Sequence, residues 1–180
     1  MRLPLHAVLL STSVTGAIVA TAIPLGAQEK QTIEGIRNFT QVEASIGCGG
    51  ATSPDAMPEL KRRGFVAIIN FRLASEPNAD IEAARAAAEQ TGLKYIHLPF
   101  NLSIPNPERQ VEAFLDSVVD ENNQPAYIHC ASANRVGGVW LIKRVLQDGW
   151  DEARALAEAE IIGLTNPRMR DFALAYVRAR

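Results

Sequence analysis

Apolar residues along the chain follow two alternating patterns. Short, nearly continuous apolar runs occur at 65–71 and 126–129, and such runs are typical of strands buried on both faces of a parallel sheet. Elsewhere apolar residues recur at helical spacing, as in 79–91 and 108–119. This alternation predicts an α/β fold: a central, mostly parallel sheet of about four to five strands with helices on both faces.

Turn and cap residues give approximate limits to these elements. Ser53 before Pro54 is a favourable helix start, and Gly64 is a favourable helix stop. The predicted strands are 42–46, 65–71, 95–98 and 126–129, and the predicted helices are 54–63, 79–91, 108–119, 136–147, 151–162 and 167–178. Ligands bind at the carboxyl ends of strands in such sheets, so these strand ends are where we expect a site.

The beginning of the chain has a different composition from the rest. Arg2 is the only charged residue before Glu29, and the stretch between them is mostly apolar. A basic start, an apolar middle and small residues before a polar chain predict a secretory signal peptide, cleaved after Ala27 or alternatively after Ala22. An uncleaved anchor is the other interpretation, but Ser, Thr and Gly are unfavourable in a permanent span. We expect a mature single domain, 28–180, that is secreted or periplasmic and has no membrane contact.

Charge and cysteine content exclude several classes of partner. The chain has 18 basic and 20 acidic residues, a formal net charge of −2, and no basic run, which argues against nucleic acid binding. Its two cysteines, Cys48 and Cys130, have no metal-ligand spacing. We therefore expect no metal and no cofactor, although an oxidising compartment would permit a disulfide between the two.

One short segment between a predicted strand and a predicted helix carries the candidate chemistry. It begins with His129 and Cys130 and ends with Arg135. The residues between them form what we call the anion loop: Ala131, Ser132, Ala133 and Asn134. A loop that enters a helix presents free backbone N–H groups and a positive dipole, so it is suited to binding an anion.

The residues at the two ends of the anion loop add a nucleophile and a cation. The planar fork of Arg135 is able to hold two oxygens of a tetrahedral anion at once. The same positive field stabilises the thiolate of Cys130. The segment therefore predicts covalent catalysis through Cys130.

These residues resemble the loop of the cysteine-dependent phosphatases. The wider pattern is similar to the beta-lactamase-hydrolase-like, dual-specificity-phosphatase-like proteins, both in the turn 49–54 and in the strand that leads to Arg72. The resemblance implies that Cys130 attacks phosphorus and carries a cysteinyl-phosphate, and that Arg135 and the loop amides hold the phosphoryl oxygens. It also implies that His129 fixes the loop and lowers the pKa of the thiol, and that no metal takes part.

Three features depart from that family's pattern. The phosphatase signature has five residues between cysteine and arginine, and this chain has four. The four-residue loop is similar in length to that of rhodanese-like sulfurtransferases. Val136 stands where phosphatases have Ser or Thr, which predicts slow turnover. The loop 98–107 holds no Asp to act as general acid, and Glu76, Asp80 and Glu108 are the other candidates.

Three functions remain open at this point. The leading hypothesis is an exported phosphatase acting on a phosphate monoester, either a small molecule or a phosphoprotein. The second is a sulfurtransferase that takes sulfur from a small donor and carries a persulfide on Cys130. The third is a catalytically weak protein that uses the anion loop to bind a phosphate-containing or other anionic ligand.

Other polar residues have both a functional and a structural interpretation. Arg72 ends a predicted strand and is a possible pocket residue, or it forms a salt bridge with Glu76 or Asp80. Asn101 is a possible pocket residue on the loop after strand 95–98. Cys48 is either a small core residue or a redox partner that reversibly caps Cys130.

Overall fold

The computed structural model of the protein describes residues 28–180, and the predicted signal peptide lies outside these described residues. The strands are β1 (Glu29–Ile33), β2 (Ile36–Glu43), β3 (Ile46–Gly49), β4 (Ala67–Asn70), β5 (Lys94–His97) and β6 (Ala126–His129). The helices are α1 (Met57–Arg62), α2 (Ile81–Gln90), α3 (Pro107–Val119), α4 (Asn134–Leu146), α5 (Glu152–Ile162) and α6 (Pro167–Arg178). Short 3-10 turns cover Pro54–Ala56 and Glu121–Asn123.

The strands form one sheet with the order β1-β2-β3-β6-β4-β5. β3, β6, β4 and β5 are parallel, while β1 and β2 extend the sheet in antiparallel fashion at one edge. The predicted α/β class is confirmed, with six strands in the sheet where the sequence predicted fewer.

The prediction of one strand at 42–46 was wrong. β2 ends at Glu43 and β3 begins at Ile46, so that stretch spans the tight turn of an antiparallel hairpin. The error has a physical cause: β1 and β2 lie at the edge of the sheet, where polar residues alternate with apolar ones. Their weak apolar pattern did not show the two strands in the sequence.

Helices cover both faces of the sheet. Helices α3 to α6 pack on one face, where the buried residues include Phe114, Trp140 and Ile162. Helices α1 and α2 pack on the other face against a second cluster that includes Tyr127. Cys130 belongs to the first cluster. In the described part of the chain, no helix combines the length and apolarity needed to cross a membrane.

Candidate active site

Cys130 directly follows β6, which lies between two parallel neighbours in the sheet. The N–H of Cys130 donates to the carbonyl oxygen of Gly49 at 3.3 Å, and the N–H of Phe71 donates to that of His129 at 2.9 Å. These bonds attach the start of the anion loop to the ends of both neighbouring strands. The loop therefore lies at the carboxyl end of the sheet, as the sequence predicted.

The backbone of the anion loop is arranged to leave its N–H groups free. Ala133 adopts a left-handed conformation, with φ of 71°, and precedes the first residue of α4. The first bond into the helix is donated by Gly137 to the carbonyl of Ala133. No backbone N–H from residues 131–136 donates a hydrogen bond to another group in the described chain. Such a ring of free donors at a helix start is a site for an anion.

Asn134 ties the anion loop to the segment that precedes α6. Its Oδ1 accepts hydrogen bonds from the backbone N–H groups of Thr165 and Asn166, both at 2.7 Å. Its Nδ2 donates to the hydroxyl of Ser132 at 3.3 Å and to that of Thr165 at 3.2 Å. The start of α6 is therefore held against the anion loop by one side chain.

Arg135 is bound to oxygen acceptors along one edge of its guanidinium, and its other edge contacts no oxygen of the described chain and interacts with the Cys130 side chain. Nη1 and Nη2 donate to the two carboxylate oxygens of Glu76 at 2.6 and 2.9 Å. Nη1 also donates to the carbonyl oxygens of Phe71, at 3.0 Å, and Phe100, at 2.9 Å. A guanidinium has N–H groups on both edges of its fork, so the edge formed by Nε and Nη2 remains available for two oxygens of a ligand.

Arg135 and Glu76 hold each other in the charged form, and Cys130 interacts with the same guanidinium. Burial works against the charge of Arg135, but the hydrogen bonds to Glu76 and the proximity of Cys130 raise the pKa of the guanidinium above its ordinary value. Burial likewise works against the charge of Glu76, and the bonds from Arg135 and the Leu73 N–H outweigh it, so the pKa of Glu76 is lowered. Both side chains are therefore charged near neutral pH.

Glu76 was considered as a general acid in the sequence analysis, and its surroundings do not suit that role. A carboxylate with a lowered pKa is ionised and has no proton to give. Asp80 caps α2 by accepting a hydrogen bond from the Ala83 N–H at 2.9 Å. Glu108 is exposed in the first turn of α3.

His129 is a buried, neutral residue. Burial lowers the pKa of its imidazole to about 4. Its ring stacks on that of Tyr127 with 5.7 Å between ring centroids. Neither ring nitrogen has a hydrogen-bond partner in the described chain, although both the Cys130 and Gly50 backbones lie nearby. A neutral ring contributes no positive charge, so any effect of His129 on the thiol pKa stays a prediction.

A cavity of about 290 Å³, which we call the Arg135 cavity, opens beside the anion loop. Three parts of the chain line it: Ser132, Asn134 and Arg135, then Asn101, Leu102 and Ser103, and then Asn166, Arg168 and Met169. The predicted pocket residue Asn101 thus lies with Arg135, and its Oδ1 accepts the N–H of Ser103 at 2.7 Å. No Asp or Glu of the described chain lines this cavity. Cys130 itself has no exposed surface.

Arg72 lies away from the Arg135 cavity. Its guanidinium donates to the carbonyl oxygens of Pro77 at 2.5 Å and Asn78 at 2.9 Å, and it pairs with Glu76 at 3.4 Å. It lines a different cavity, of about 600 Å³, which also reaches Ala131. The salt-bridge interpretation of Arg72 is the one that the structure supports, with Glu76 as its partner.

Cys48 and Cys130 are both free and buried. Burial raises the pKa of the Cys48 thiol well above its ordinary value. Cys48 on β3 pairs in register with Ile128 on β6, so Cys130 is its diagonal neighbour on the same face. Diagonal neighbours lie about 7–8 Å apart, farther than most disulfides permit. A redox role for Cys48 therefore needs movement of the loop and stays a prediction.

Two features of the site were missed by the sequence analysis. Glu76 pairs with Arg135 across 59 positions of sequence, and Arg168 enters the Arg135 cavity from the start of α6. The only local signal was the Asn166-Pro167 helix start, which predicts where α6 begins but not what it faces.

Comparison with models of known protein families identifies the family of this chain. Residues 38–147 match the model of the family described as beta-lactamase hydrolase-like protein, phosphatase-like domain. The chain belongs to this family. A comparison with curated protein sequences gives no significant match.

Solved structures with the same fold include proteins from bacteria and yeast. One is described as a DUF442 phosphatase from Shewanella putrefaciens CN-32, with a TM-score of 0.66 and 21% identity over 83% of this chain and 98% of that chain. TpbA from P. aeruginosa has a TM-score of 0.63 and 21% identity, covering 86% and 91%. The core catalytic domain of SIW14 from S. cerevisiae has a TM-score of 0.64 and 18% identity, covering 81% and 88%. At these identities the likeness establishes a phosphatase-like fold.

Proposed function

We propose that this chain is an exported cysteine-dependent phosphatase that hydrolyses a phosphate monoester through a cysteinyl-phosphate. The observation that carries the proposal is the free Nε–Nη2 edge of Arg135 beside Cys130 and the unpaired amides of the anion loop. Both sets of donors belong to the short segment that follows Cys130, and both are suited to phosphoryl oxygens. Charge-assisted donors fixed in advance are an effective way to stabilise a phosphoryl transition state.

The reaction follows from these positions in two steps. The thiolate of Cys130 attacks phosphorus, an S–P bond forms, and the ester P–O bond breaks. Water then attacks the cysteinyl-phosphate, releasing inorganic phosphate and the thiolate. Because no carboxyl group of residues 28–180 lines the Arg135 cavity, the leaving oxygen receives its proton from water. We therefore expect aryl phosphates, whose leaving groups need little protonation, to react fastest.

Relatives support a phosphate-containing ligand. TpbA has been solved with phosphotyrosine, and SIW14 is a PP-IP phosphatase solved with citrate. Both ligands are anions.

A sulfurtransferase is the second candidate, favoured by the length of the anion loop. Four residues separate Cys130 from Arg135, which is the shorter, rhodanese-like spacing, and Val136 offers no hydroxyl to help hydrolyse a cysteinyl-phosphate. In this reaction Cys130 takes the outer sulfur of thiosulfate, sulfite leaves, and the persulfide passes sulfur to an acceptor thiol. A weak anion-binding protein is the outcome if neither reaction occurs.

The test compares phosphate release from an aryl phosphate with sulfite release from thiosulfate, using the reduced mature protein. Cys130→Ser removes the proposed nucleophile, and Cys48→Ser is its matched control, because Cys48 is the other buried thiol. Phosphate release that Cys130→Ser abolishes and Cys48→Ser retains supports the phosphatase. Sulfite release with no phosphate release would overturn the phosphatase proposal in favour of a sulfurtransferase. For the export proposal, the mass of the protein from the cell envelope should correspond to a chain beginning at Gln28.

A further inference from the structure

A second arginine, Arg168, lines the same cavity as Arg135. Arg168 is exposed in the first turn of α6 and makes no hydrogen bond or ion pair within residues 28–180. Arg135, in contrast, is bound along one edge by Glu76. The whole guanidinium of Arg168 is therefore available to a ligand in the cavity.

The charge of this cavity contrasts with that of the chain. Its described lining holds two arginines and no carboxylate, while the chain as a whole has a formal net charge of −2. The remaining lining residues are neutral asparagines and serines with one leucine and one methionine. Two arginines in one concave site, of which Arg168 has no counter-ion in the described chain, favour a ligand with more than one negative group.

The position of Arg168 relative to the anion loop is held by specific bonds. Asn134 accepts hydrogen bonds from the backbone of Thr165 and Asn166, and the Asn166 side chain caps α6 by accepting the N–H of Met169 at 3.3 Å. The first turn of α6 is thus tied to the loop that would hold the phosphoryl group. When two anion-binding groups are held at a fixed separation, the site is able to select substrates whose anionic groups have the matching spacing.

We propose that Arg168 binds a second anionic group of the substrate, so that the substrate is a small phosphate monoester bearing a carboxylate or a second phosphate. This inference rests on the proposed phosphatase function and adds the substrate class to it. The size of the Arg135 cavity, about 290 Å³, is just below the usual range for ligand pockets, about 300–1,000 Å³, and favours a small organic molecule.

Two aryl phosphates that differ only in charge test the proposal. Meta-carboxyphenyl phosphate carries the second anion, and meta-carbamoylphenyl phosphate is its neutral counterpart. Their kcat/KM ratio is measured for the wild-type chain, for Arg168→Gln, and for Arg170→Gln, an exposed arginine of the same helix that does not line the cavity. A partly exposed ion pair predicts a wild-type preference for the carboxylate of about fivefold.

We expect Arg168→Gln to abolish this preference and Arg170→Gln to retain it, and we expect added salt to weaken it. Affinities of the two compounds for Cys130→Ser, with and without Arg168→Gln, give the same ratio without turnover. Equal ratios in the wild-type chain and Arg168→Gln would overturn this inference and leave the phosphatase proposal standing. If the wild-type chain turns over neither compound and Cys130→Ser binds neither, both the substrate class and the phosphatase proposal are overturned.

Discussion

The ion pair between Arg135 and Glu76 gives the most quantitative prediction about the candidate site. Glu76→Gln keeps the shape of the side chain but removes the negative charge that Arg135 and Arg72 both contact. The Arg135 and Glu76 side chains are 14% and 21% exposed. Removing the carboxylate therefore leaves a largely shielded guanidinium without its counter-charge.

The expected loss of stability lies between the cost of breaking a fully buried ion pair and that of breaking an exposed one. Breaking a buried ion pair costs about 3–5 kcal/mol, and an exposed pair is worth about 0–1 kcal/mol. We expect Glu76→Gln to lower the free energy of unfolding by about 2 kcal/mol, or roughly 4–8 °C in Tm for a domain of this size. We also expect kcat/KM for an aryl phosphate to fall about tenfold, because Arg135 loses a contact that orients its free edge.

The pH dependence of this effect has a definite sign. Although burial raises it, the pKa of Glu76 in the folded chain is lowered from 4.5 by the bonds from Arg135 and the Leu73 N–H. The charged carboxylate therefore stabilises the fold above pH 4.5, and this contribution is lost as pH falls through the lowered pKa. The difference in stability between the wild-type chain and Glu76→Gln should shrink in acid.

Urea denaturation and steady-state kinetics measure both effects. Glu152→Gln is the matched control, since Glu152 pairs with Arg178 at the surface, where the two side chains are 38% and 63% exposed. The reasoning is refuted if Glu76→Gln costs no more stability than Glu152→Gln and leaves kcat/KM unchanged.

Three further predictions test other parts of the structure. Burial lowers the pKa of His129 to about 4, so between pH 6.5 and 4 only the unfolded chain takes up this proton, and stability falls as pH falls. His129→Asn should flatten urea-measured stability between these pH values, and an unaltered profile would contradict this. Gly149→Ala places alanine in the left-handed region, at φ of 68°, and should cost about 1–2 kcal/mol by denaturation. Gly163→Ala, at φ of 141°, should cost at least as much, and because its new Cβ would also meet Ala133 of the anion loop, only it should lower kcat/KM; equal kinetic effects would count against the loop geometry. Glu158→Gln removes a buried partner of Arg144 and should cost about 3 kcal/mol in the free energy of unfolding, and a cost under about 1 kcal/mol would show that the remaining carboxylates compensate.

The parallel part of the fold could be predicted because each of its elements has a local signal. β6 and α6 were predicted with the limits that the structure shows, since an apolar run and an Asn-Pro cap mark them. The β2–β3 hairpin has no such signal: each of its strands is stabilised by pairing with a neighbour on both sides, and the pattern of apolar and polar residues along the two strands is weak.

The candidate site divides in the same way. Cys130, the anion loop and Arg135 are contiguous, so their chemistry could be inferred from spacing. Glu76 and Arg168 reach the site only because parallel strand ends and the start of α6 converge there. Periodicity carries no information on which distant loops meet, and this convergence needed the three-dimensional structure.

The central claim is that Cys130 forms a covalent bond to phosphorus while Arg135 holds the phosphoryl group. The most direct test is intact-mass analysis of the reduced mature protein, quenched in acid during turnover of an aryl phosphate, followed by mapping of the modified residue. We predict one phosphate on Cys130 in the wild-type chain, none in Cys130→Ser, and much less in Arg135→Lys, because an ammonium lacks the two-donor edge. Phosphate release without any adduct on Cys130, or an adduct that persists in Cys130→Ser, would contradict the account.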